Sequence, residues 1–299
     1  MVDSPQASSR QVSNHIPAAE RRWVIMGAQG MLGTDFLEAL QGRNVLALDV
    51  NEVDIRSEES VSKHLETGDV VVNCAAYTAV DAAEENEPLA FSINAQGPAV
   101  LAQVTSRVGA TLVHISTDYV FDGMSPEPYA EYDFTDPQSA YGRTKVAGEW
   151  AIRAINPEHS LIFRTAWLYG RHGNNFISTM LKLMQERDTL DVVNDQFGQP
   201  TWTVDLAKQI IQTLDTGETN GIFHATSSGQ TSWFEFAQEI FSLSGQDPER
   251  VKPTDSSSFV RPAKRPANSV LSHQEWERVG MSPIRNWRDA LHEYLSTNY

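Results

Sequence analysis

Short apolar runs alternate with longer amphipathic stretches through the first half of the chain. Apolar runs rich in Val, Ile and Leu are typical of strands buried on both faces of a parallel sheet. Apolar residues spaced three and four positions apart predict helices. The predicted strands are 23–26, 45–48, 70–72, 111–115 and 161–163, and the helices between them begin near Met31, Ser57, Glu87 and Tyr141.

This alternation predicts an α/β fold, a Rossmann-like doubly wound parallel sheet with helices on both faces. Residues 21–165 are expected to form this first domain. The alternation weakens after about Thr165. Residues 166–299 are expected to form a smaller α/β domain that mainly binds substrate, with some segments returning to the first sheet. The later elements predicted are helices at 176–187, 205–214 and 233–243, a strand at 221–224, an irregular segment at 252–266, and helical stretches near Gln274 and Trp287.

Residues 1–20 lack this periodicity and are rich in Ser, Gln, Asn and Ala, which predicts a disordered tail. The rest of the 299-residue chain is long enough to bury a core without disulfides. Asp and Glu outnumber Lys and Arg by 39 to 23, and the net charge of −16 argues against nucleic acid or a membrane surface as a partner. The single cysteine and the absence of a membrane-length apolar run favour a cytoplasmic globular protein.

A Gly-x-x-Gly-x-x-Gly run lies between the first predicted strand and the first predicted helix, at Gly27, Gly30 and Gly33. Glycines here permit a tight turn, let the backbone approach a pyrophosphate, and let the helix pack closely on the strand. Asp49 ends the second predicted strand, where a carboxylate can bond ribose hydroxyls and favours NADH. Arg56 is close enough in sequence to serve the 2′-phosphate of NADPH instead, so both cofactors stay open.

Tyr141 and Lys145 are four residues apart on a predicted helix, so their side chains share one face. An ammonium beside a phenol favours the phenolate, which predicts a lowered pKa for Tyr141 and a proton donor for a carbonyl that accepts hydride. Thr117 follows the fourth predicted strand, where a hydroxyl can polarise the substrate carbonyl. Each feature alone also fits a solvated helix face or a strand-end cap, so their combination carries the prediction.

Together the glycine loop, the strand-end hydroxyl and Tyr-x-x-x-Lys resemble the extended short-chain dehydrogenases/reductases. Longer blocks resemble the dTDP-4-dehydrorhamnose reductase group within them, from about Trp23 to the C-terminus. This resemblance implies hydride transfer from NADPH or NADH to C4 of dTDP-4-dehydro-β-L-rhamnose, which gives dTDP-L-rhamnose in the final step of its biosynthesis. The blocks are 73–81, 116–123, 173–176, 195–201 and 265–271.

The resemblance also implies roles for individual residues. The catalytic set would be Thr117, Tyr141 and Lys145, with Tyr141 as the proton donor. Cofactor-lining residues would be Gly27, Gln29, Gly30, Met31, Leu32, Asp49, Asp54, Ile55, Ala75, Ala76, Tyr77, Tyr141 and Lys145. Residues facing the nucleotide sugar would be Thr117, Asp118, Tyr119, Trp167, Asn175 and Arg265.

Some of these residues have a second interpretation. Trp167 can form a flat apolar wall for a deoxysugar or pack in the core, and Asn175 can touch the diphosphate or cap a helix. Arg265 can bind the diphosphate or pair with a surface carboxylate. Asn94 is expected to be a buried amide that supports the site. The eight histidines show no ligand spacing, so no metal site is predicted; some members of the group are described as magnesium-dependent dimers, and Asp35 is where an acidic ligand would lie.

Two other functions remain open. One is a reductase or 4-epimerase of another nucleotide sugar, although the block 116–121 argues against an epimerase. The other is a regulatory subunit like that of methionine adenosyltransferase, which resembles the same group, binds a dinucleotide without turnover and needs a partner chain. The intact set of Thr117, Tyr141 and Lys145 favours an enzyme, and a monomer or a homodimer is expected.

Overall fold

The structure, a computed structural model, describes residues 20–299, so the predicted tail lies outside the described residues except for Glu20. The strands are β1 (Trp23–Met26), β2 (Val45–Leu48), β3 (Val70–Asn73), β4 (Thr111–Thr117), β5 (Ser160–Thr165), β6 (Leu168–Tyr169), β7 (Leu190–Val193), β8 (Phe197–Gly198), β9 (Thr201–Trp202), β10 (Gly221–His224), β11 (Thr231–Ser232) and β12 (Val251–Thr254). The helices are α1 (Met31–Ala39), α2 (Glu58–Ser62), α3 (Val80–Glu85), α4 (Glu87–Phe91), α5 (Gly97–Val108), α6 (Ala140–Ile155), α7 (Phe176–Glu186), α8 (Thr203–Asp215), α9 (Trp233–Leu243), α10 (Gln274–Arg278) and α11 (Trp287–Asn298).

Six strands form one parallel sheet in the order β10-β5-β4-β3-β1-β2, which confirms the predicted Rossmann-like fold. The chain starts at β1, moves outward to β2, and then crosses back to β3, β4 and β5. The direction of winding therefore reverses between β1 and β3. In doubly wound sheets a ligand binds at the carboxyl ends of the strands beside such a reversal.

Both faces of this sheet are covered, because successive residues of each strand point to opposite sides. Ile25 of β1 shares a core cluster with Phe36 of α1 and Leu206 of α8. Its neighbour Val24 belongs to a second cluster with Leu101 of α5. None of the helices within residues 20–299 has the length and apolar character to cross a membrane.

The predicted helix at 87–108 consists of α4, a π-helical turn at Ser92–Gln96, and α5. The π-turn carries Asn94, which is 1% exposed. Its side chain accepts from the backbone N–H of Tyr77 at 2.8 Å and donates to the Tyr77 carbonyl at 3.0 Å and to Thr144 Oγ1 at 3.1 Å. Asn94 is thus the expected buried amide, and it ties the loop after β3 to α6.

The second half of the chain divides between two bodies of structure. β10 pairs with β5 and extends the first sheet, and α8 packs on α1. The helices α7, α9 and α11 share a separate core with Trp202 and Val251. Residues 252–254 of the segment predicted as irregular belong instead to β12, which pairs in parallel with β7, and Val251 at its start is buried in that second core.

Candidate active site

The glycine loop turns between the ends of three neighbouring strands. Gly27 has φ +77°, and a Cβ there would lie 2.8 Å from the Ala75 nitrogen, so a side chain is excluded. A Cβ on Gly33 would lie 2.2 Å from the Gly27 carbonyl oxygen, which explains how α1 packs so closely on β1. Gly30 is the N-cap residue of α1 and supplies no side-chain cap. The first N–H groups of α1 therefore remain available to an anion.

A cleft of about 610 Å³ opens beside this loop, at the ends of β1, β2 and β3. The Asp49 carboxylate accepts from the Gln29 backbone N–H at 2.8 Å, which fixes the loop against β2. Arg56 binds Asp54 through two contacts of 2.8 and 2.9 Å, and both residues line the cleft. The predicted residues that line it are Gly27, Gly30, Asp49, Asp54, Ile55, Ala75 and Ala76, and the sequence analysis missed the apolar Val50, Val53, Leu89 and Ile93.

A second cavity, of about 520 Å³, adjoins the first and shares Gly30, Cys74 and Ala76 with it. It lies over the carboxyl ends of β4 and β5. Predicted residues in its lining are Met31, Leu32, Thr117, Asp118, Tyr119, Tyr141, Lys145 and Trp167, and residues that the sequence analysis missed are Thr78, Val80, Ile115, Thr165, Ala166 and Leu168. Gln29, Tyr77, Asn175 and Arg265 are not among the lining residues of either cavity.

Thr117 links two of the groups in this second cavity. Its Oγ1 donates to Asp118 Oδ1 at 2.9 Å and accepts from the Tyr119 backbone N–H at 3.2 Å. Burial raises the pKa of Asp118 to about 6. Ser269 is near enough to offset part of this increase, but within the described part of the chain Asp118 Oδ2 has no partner at hydrogen-bond geometry. A buried carboxylate oxygen without a partner at a cavity wall is an acceptor available to a ligand hydroxyl.

The Tyr141 phenol differs from the sequence-based expectation. Burial raises its pKa above the usual value of 10, and a hydrogen bond with Thr117 offsets part of this increase. Lys145 does not lower it, because the Lys145 ammonium points elsewhere: its Nζ donates to the Ile115 carbonyl at 2.6 Å. Tyr141 is therefore a neutral phenol at physiological pH, which is the protonation state that a proton donor requires.

Lys145 is 2% exposed and reaches the cavity from α6. Burial lowers its pKa to about 8. Its Nζ also lies 3.3 Å from His114 Nε2. The ammonium form still predominates at neutral pH, but by a smaller margin than for an exposed lysine.

Trp167 forms part of the wall of the second cavity and is also packed tightly. Its indole stacks on Trp233 with centroids 3.5 Å apart and an angle of 10°. A Cβ on Gly198 would lie 2.5 Å from Trp167 Cε2, so only glycine fits at that position. Among residues 20–299, Trp167 is the one non-glycine residue with positive φ, +49°, a conformation that the packing must hold in place. Trp233 comes from α9, and the sequence contains no signal for this long-range contact.

Asn175 and Arg265 are both engaged by protein groups. Asn175 caps α7: its Oδ1 accepts from the Ser178 N–H at 3.1 Å, and its Nδ2 donates to the Gly170 carbonyl at 2.8 Å. Arg265 Nη2 contacts Asp81 Oδ2 at 2.8 Å. In this structure Asn175 acts as a helix cap and Arg265 pairs with a carboxylate, and contact of either residue with the diphosphate stays a prediction.

Asp35, Glu38 and His172 form a cluster with ligand atoms within 4.8 Å of one another. Asp35 is 2% exposed and has an Oδ2 without a hydrogen-bond partner among the described residues. The cluster offers two carboxylates and one imidazole, whereas Mg²⁺ prefers oxygen ligands alone. It is thus a poor fit for magnesium, and no step of the reaction is assigned to a metal.

A glycine loop at the reversal of a doubly wound sheet, with Thr117, Tyr141 and Lys145 around the adjoining cavity, defines a nucleotide-dependent reductase of the extended short-chain class. The family model described as RmlD substrate binding domain matches residues 21–299. The chain therefore belongs to the dTDP-4-dehydrorhamnose reductase family.

Individual relatives agree with this assignment. The chain is 48% identical to a dTDP-4-keto-6-deoxy-D-glucose reductase from Streptomyces niveus, over 90% of this chain and 95% of the relative. It is 45% identical to a dTDP-4-dehydrorhamnose reductase from Streptomyces griseus, over 93% and 94%. A crystal structure of the Bacillus anthracis dTDP-4-dehydrorhamnose reductase in complex with NADP superposes with a TM-score of 0.87 at 36% identity, covering 93% of this chain and 99% of that one.

Proposed function

We propose that this enzyme reduces the C4 keto group of dTDP-4-dehydro-β-L-rhamnose with NADPH or NADH and so forms dTDP-L-rhamnose, in the final step of its biosynthesis. The observation that carries the proposal is the position of Thr117, Asp118 and Tyr141 at one cavity that adjoins the glycine loop. Similarity to reductases of dTDP-4-keto sugars along nearly the whole chain supports it.

The residues of the two cavities fit a dinucleotide. Gly27, Gly30 and the first turn of α1 would hold the pyrophosphate, and Asp49 the adenosine ribose. Lys145 would hold the second ribose. When bound, the reduced nicotinamide supplies the hydride. Gln29 and Tyr77 would help to shape the cofactor site, since the Gln29 N–H binds Asp49 and the Tyr77 N–H binds Asn94.

Tyr141 donates its proton to the carbonyl oxygen as C4 accepts hydride, so the C=O bond becomes CH–OH. In this structure the Thr117 hydroxyl donates to Asp118, and hydrogen bonding by Thr117 lowers the pKa of Tyr141 because it favours the phenolate. Once Tyr141 has lost its proton, the Thr117 hydroxyl can turn and donate to the phenolate. The Lys145 ammonium, which donates to the Ile115 carbonyl, would have to turn toward Tyr141 to stabilise this phenolate.

The sugar nucleotide would contact the remaining polar groups of the second cavity. Asp118 Oδ2 would accept from a sugar hydroxyl, and Tyr119 and Trp167 would line the deoxysugar. Arg265 would reach a diphosphate only by leaving Asp81. Asn175 would support the site as a helix cap and would not contact the ligand.

Several coarser features belong to the same proposal. Residues 21–165 would bind the cofactor and residues 166–299 mainly the substrate, although β10 and α8 pack with the first sheet. The enzyme would act in the cytoplasm as a monomer or homodimer, with a small nucleotide sugar and no nucleic acid as its ligand. The net charge of −16 supports the last point.

A second candidate is reduction of another dTDP-4-keto-6-deoxy sugar, because the Streptomyces niveus relative bears such a name. The absorbance of NADPH or NADH, followed with dTDP-4-dehydro-L-rhamnose and with dTDP-4-keto-6-deoxy-D-glucose, separates the two. We expect faster oxidation with the first sugar. Preference for the second would replace the proposed substrate, and tight cofactor binding without oxidation by either would favour the regulatory subunit.

A further inference from the structure

Two buried polar side chains, Asn73 and His114, lie in the central sheet next to Lys145. The proposed reaction does not use them. Asn73 at the end of β3 and His114 of β4 are register partners on adjacent strands. Asn73 is 1% exposed and His114 is completely buried. Their side chains are joined by a contact of 3.1 Å between Asn73 Nδ2 and His114 Nδ1.

The hydrogen bonds around Asn73 determine which ring nitrogen of His114 carries a proton. Asn73 Oδ1 accepts from the Ala75 backbone N–H at 3.2 Å, so the amide Nδ2 must face the imidazole. An amide nitrogen is only a donor, and His114 Nδ1 is therefore the acceptor. Burial lowers the pKa of His114 well below 6.5, so the ring is neutral and its one proton is on Nε2.

This assignment places an N–H donor opposite Lys145. His114 Nε2 lies 3.3 Å from Lys145 Nζ. An ammonium has donors only, so the charged form of Lys145 cannot form a hydrogen bond with this Nε2–H. The neutral amine can accept it, while still donating to the Ile115 carbonyl at 2.6 Å. The contact therefore favours the neutral form of Lys145 over the charged form.

Two other ionisable groups near Lys145, Glu149 and Cys74, favour its charged form. Glu149 lies one turn along α6, but Arg164 binds its carboxylate through contacts of 2.9 and 2.7 Å. Burial raises the pKa of the Cys74 thiol to about 12, so the thiol is neutral. Tyr141 is neutral as well. His114 is thus a direct polar contact of Lys145 that discriminates between its two protonation states.

We propose that His114, held in the Nε2–H form by Asn73, is a positioning residue that sets the pH above which Lys145 loses its charge and its hold on the cofactor ribose. This inference rests on the proposed function for the contact between Lys145 and the ribose. It is tested with NADPH alone and without a sugar, so absence of reductase turnover would overturn the proposed function and leave this test unaffected.

The first experiment measures the NADPH dissociation constant from about pH 7 to about pH 10 in wild type and in His114→Gln. In wild type we expect affinity to fall as Lys145 deprotonates, with a midpoint at about 8. The glutamine carbonyl can accept from the ammonium, which moves the midpoint upward by about one pH unit. The matched control is His224→Gln, another completely buried histidine, which bonds Ser272 and faces Arg164. The pH midpoint of NADPH affinity in His224→Gln should equal that of the wild type.

The second experiment reads the tautomer directly, and its wild-type measurement does not depend on any variant retaining its fold. Two-bond ¹H–¹⁵N correlation spectra of histidine-labelled wild type should show His114 as the neutral Nε2–H form. In Asn73→Asp the new carboxylate should accept from Nδ1–H, which converts the ring to the Nδ1–H form and raises the midpoint for NADPH. An Nδ1–H form in wild type would overturn the proposal, as would an unchanged midpoint in His114→Gln or an equal shift in His224→Gln.

Discussion

Thr117 Oγ1 donates a 2.9 Å hydrogen bond to Asp118 Oδ1, so the hydroxyl proton of the threonine is held by this carboxylate. To donate to the phenolate of Tyr141 instead, which would favour loss of the phenol proton, the threonine hydroxyl must turn away from Asp118. The ionised carboxylate of Asp118 is a stronger acceptor than the protonated acid, both for this proton and for a hydroxyl of the proposed sugar. The protonation state of Asp118 therefore affects Thr117 and, through it, Tyr141, which donates the proton in the proposed reaction.

The rate should depend on pH through Asp118 and Lys145. Burial places the pKa of Asp118 at about 6 and that of Lys145 at about 8. We expect kcat/KM to rise as Asp118 ionises and to fall as Lys145 loses its charge, which gives a bell-shaped profile. Asp118→Asn should remove the acid limb and leave the alkaline limb. An acid limb near pH 6 that persists in Asp118→Asn would assign it to another group.

Asp118→Asn should also stabilise the fold above about pH 6. Burial raises the pKa of Asp118 from 3.8 to about 6, so the folded state holds this proton more tightly than the unfolded state. The stability from the protonated form is complete below the unfolded pKa and is lost as pH rises through the folded pKa. We expect a gain of about 1–3 kcal/mol in the free energy of unfolding at about pH 8 and little gain at about pH 4. Urea unfolding at both pH values measures this, and an equal effect at both would contradict it.

Tyr141→Phe should retain the fold and the cofactor but lose about 10²- to 10⁴-fold in kcat. The ring remains and its packing against Tyr119, with centroids 5.6 Å apart, should survive. Steady-state kinetics with dTDP-4-dehydro-L-rhamnose and a separate NADPH titration measure the two effects. Tyr129→Phe is the control. The Tyr129 hydroxyl donates to Asp122 and accepts from the Met124 N–H, and it lies outside both cavities. Near-normal kcat in Tyr141→Phe would show that the proton has another source.

Gly30→Glu should abolish cofactor binding. A side chain with a negative charge would enter the space where the N–H groups of α1 face the pyrophosphate. Gly30→Ala is the matched control: its Cβ would lie 3.3 Å from the Gly27 carbonyl oxygen, a tight contact that a small shift can relieve. NADPH and NADH titrations of both variants test this. Unchanged affinity in a folded Gly30→Glu would remove the glycine loop from the cofactor site.

Asp49 and Arg56 should set the choice between NADH and NADPH. Both line the cleft beside the glycine loop, with opposite charges. Asp49→Asn should favour NADPH, because the carboxylate repels a 2′-phosphate, whereas Arg56→Ala should weaken NADPH and leave NADH nearly unchanged. Ratios of kcat/KM for the two cofactors measure the preference. If Arg56→Ala weakened both cofactors equally, Arg56 would have no role at the 2′-phosphate.

The local pattern of the chain was sufficient to predict the sheet, the glycine loop and the helix that carries Tyr141 and Lys145. These features depend on short stretches of sequence: a buried strand such as β1 needs a run of apolar residues, and a turn like that at Gly27 needs positive φ. The topology of the sheet alone also predicts that the chemistry takes place at the carboxyl end of β4. How these residues act stays a prediction that the experiments above test.

Contacts between distant segments were decided only by the tertiary structure. Sequence spacing placed Lys145 beside Tyr141, but spacing does not show that the amine points to Ile115 and His114, or that burial raises the phenol pKa. The stacking of Trp167 on Trp233 depends on how α9 is docked. Burial, electrostatic environment and hydrogen-bond partners depend on atoms far away along the chain, which local propensity does not encode.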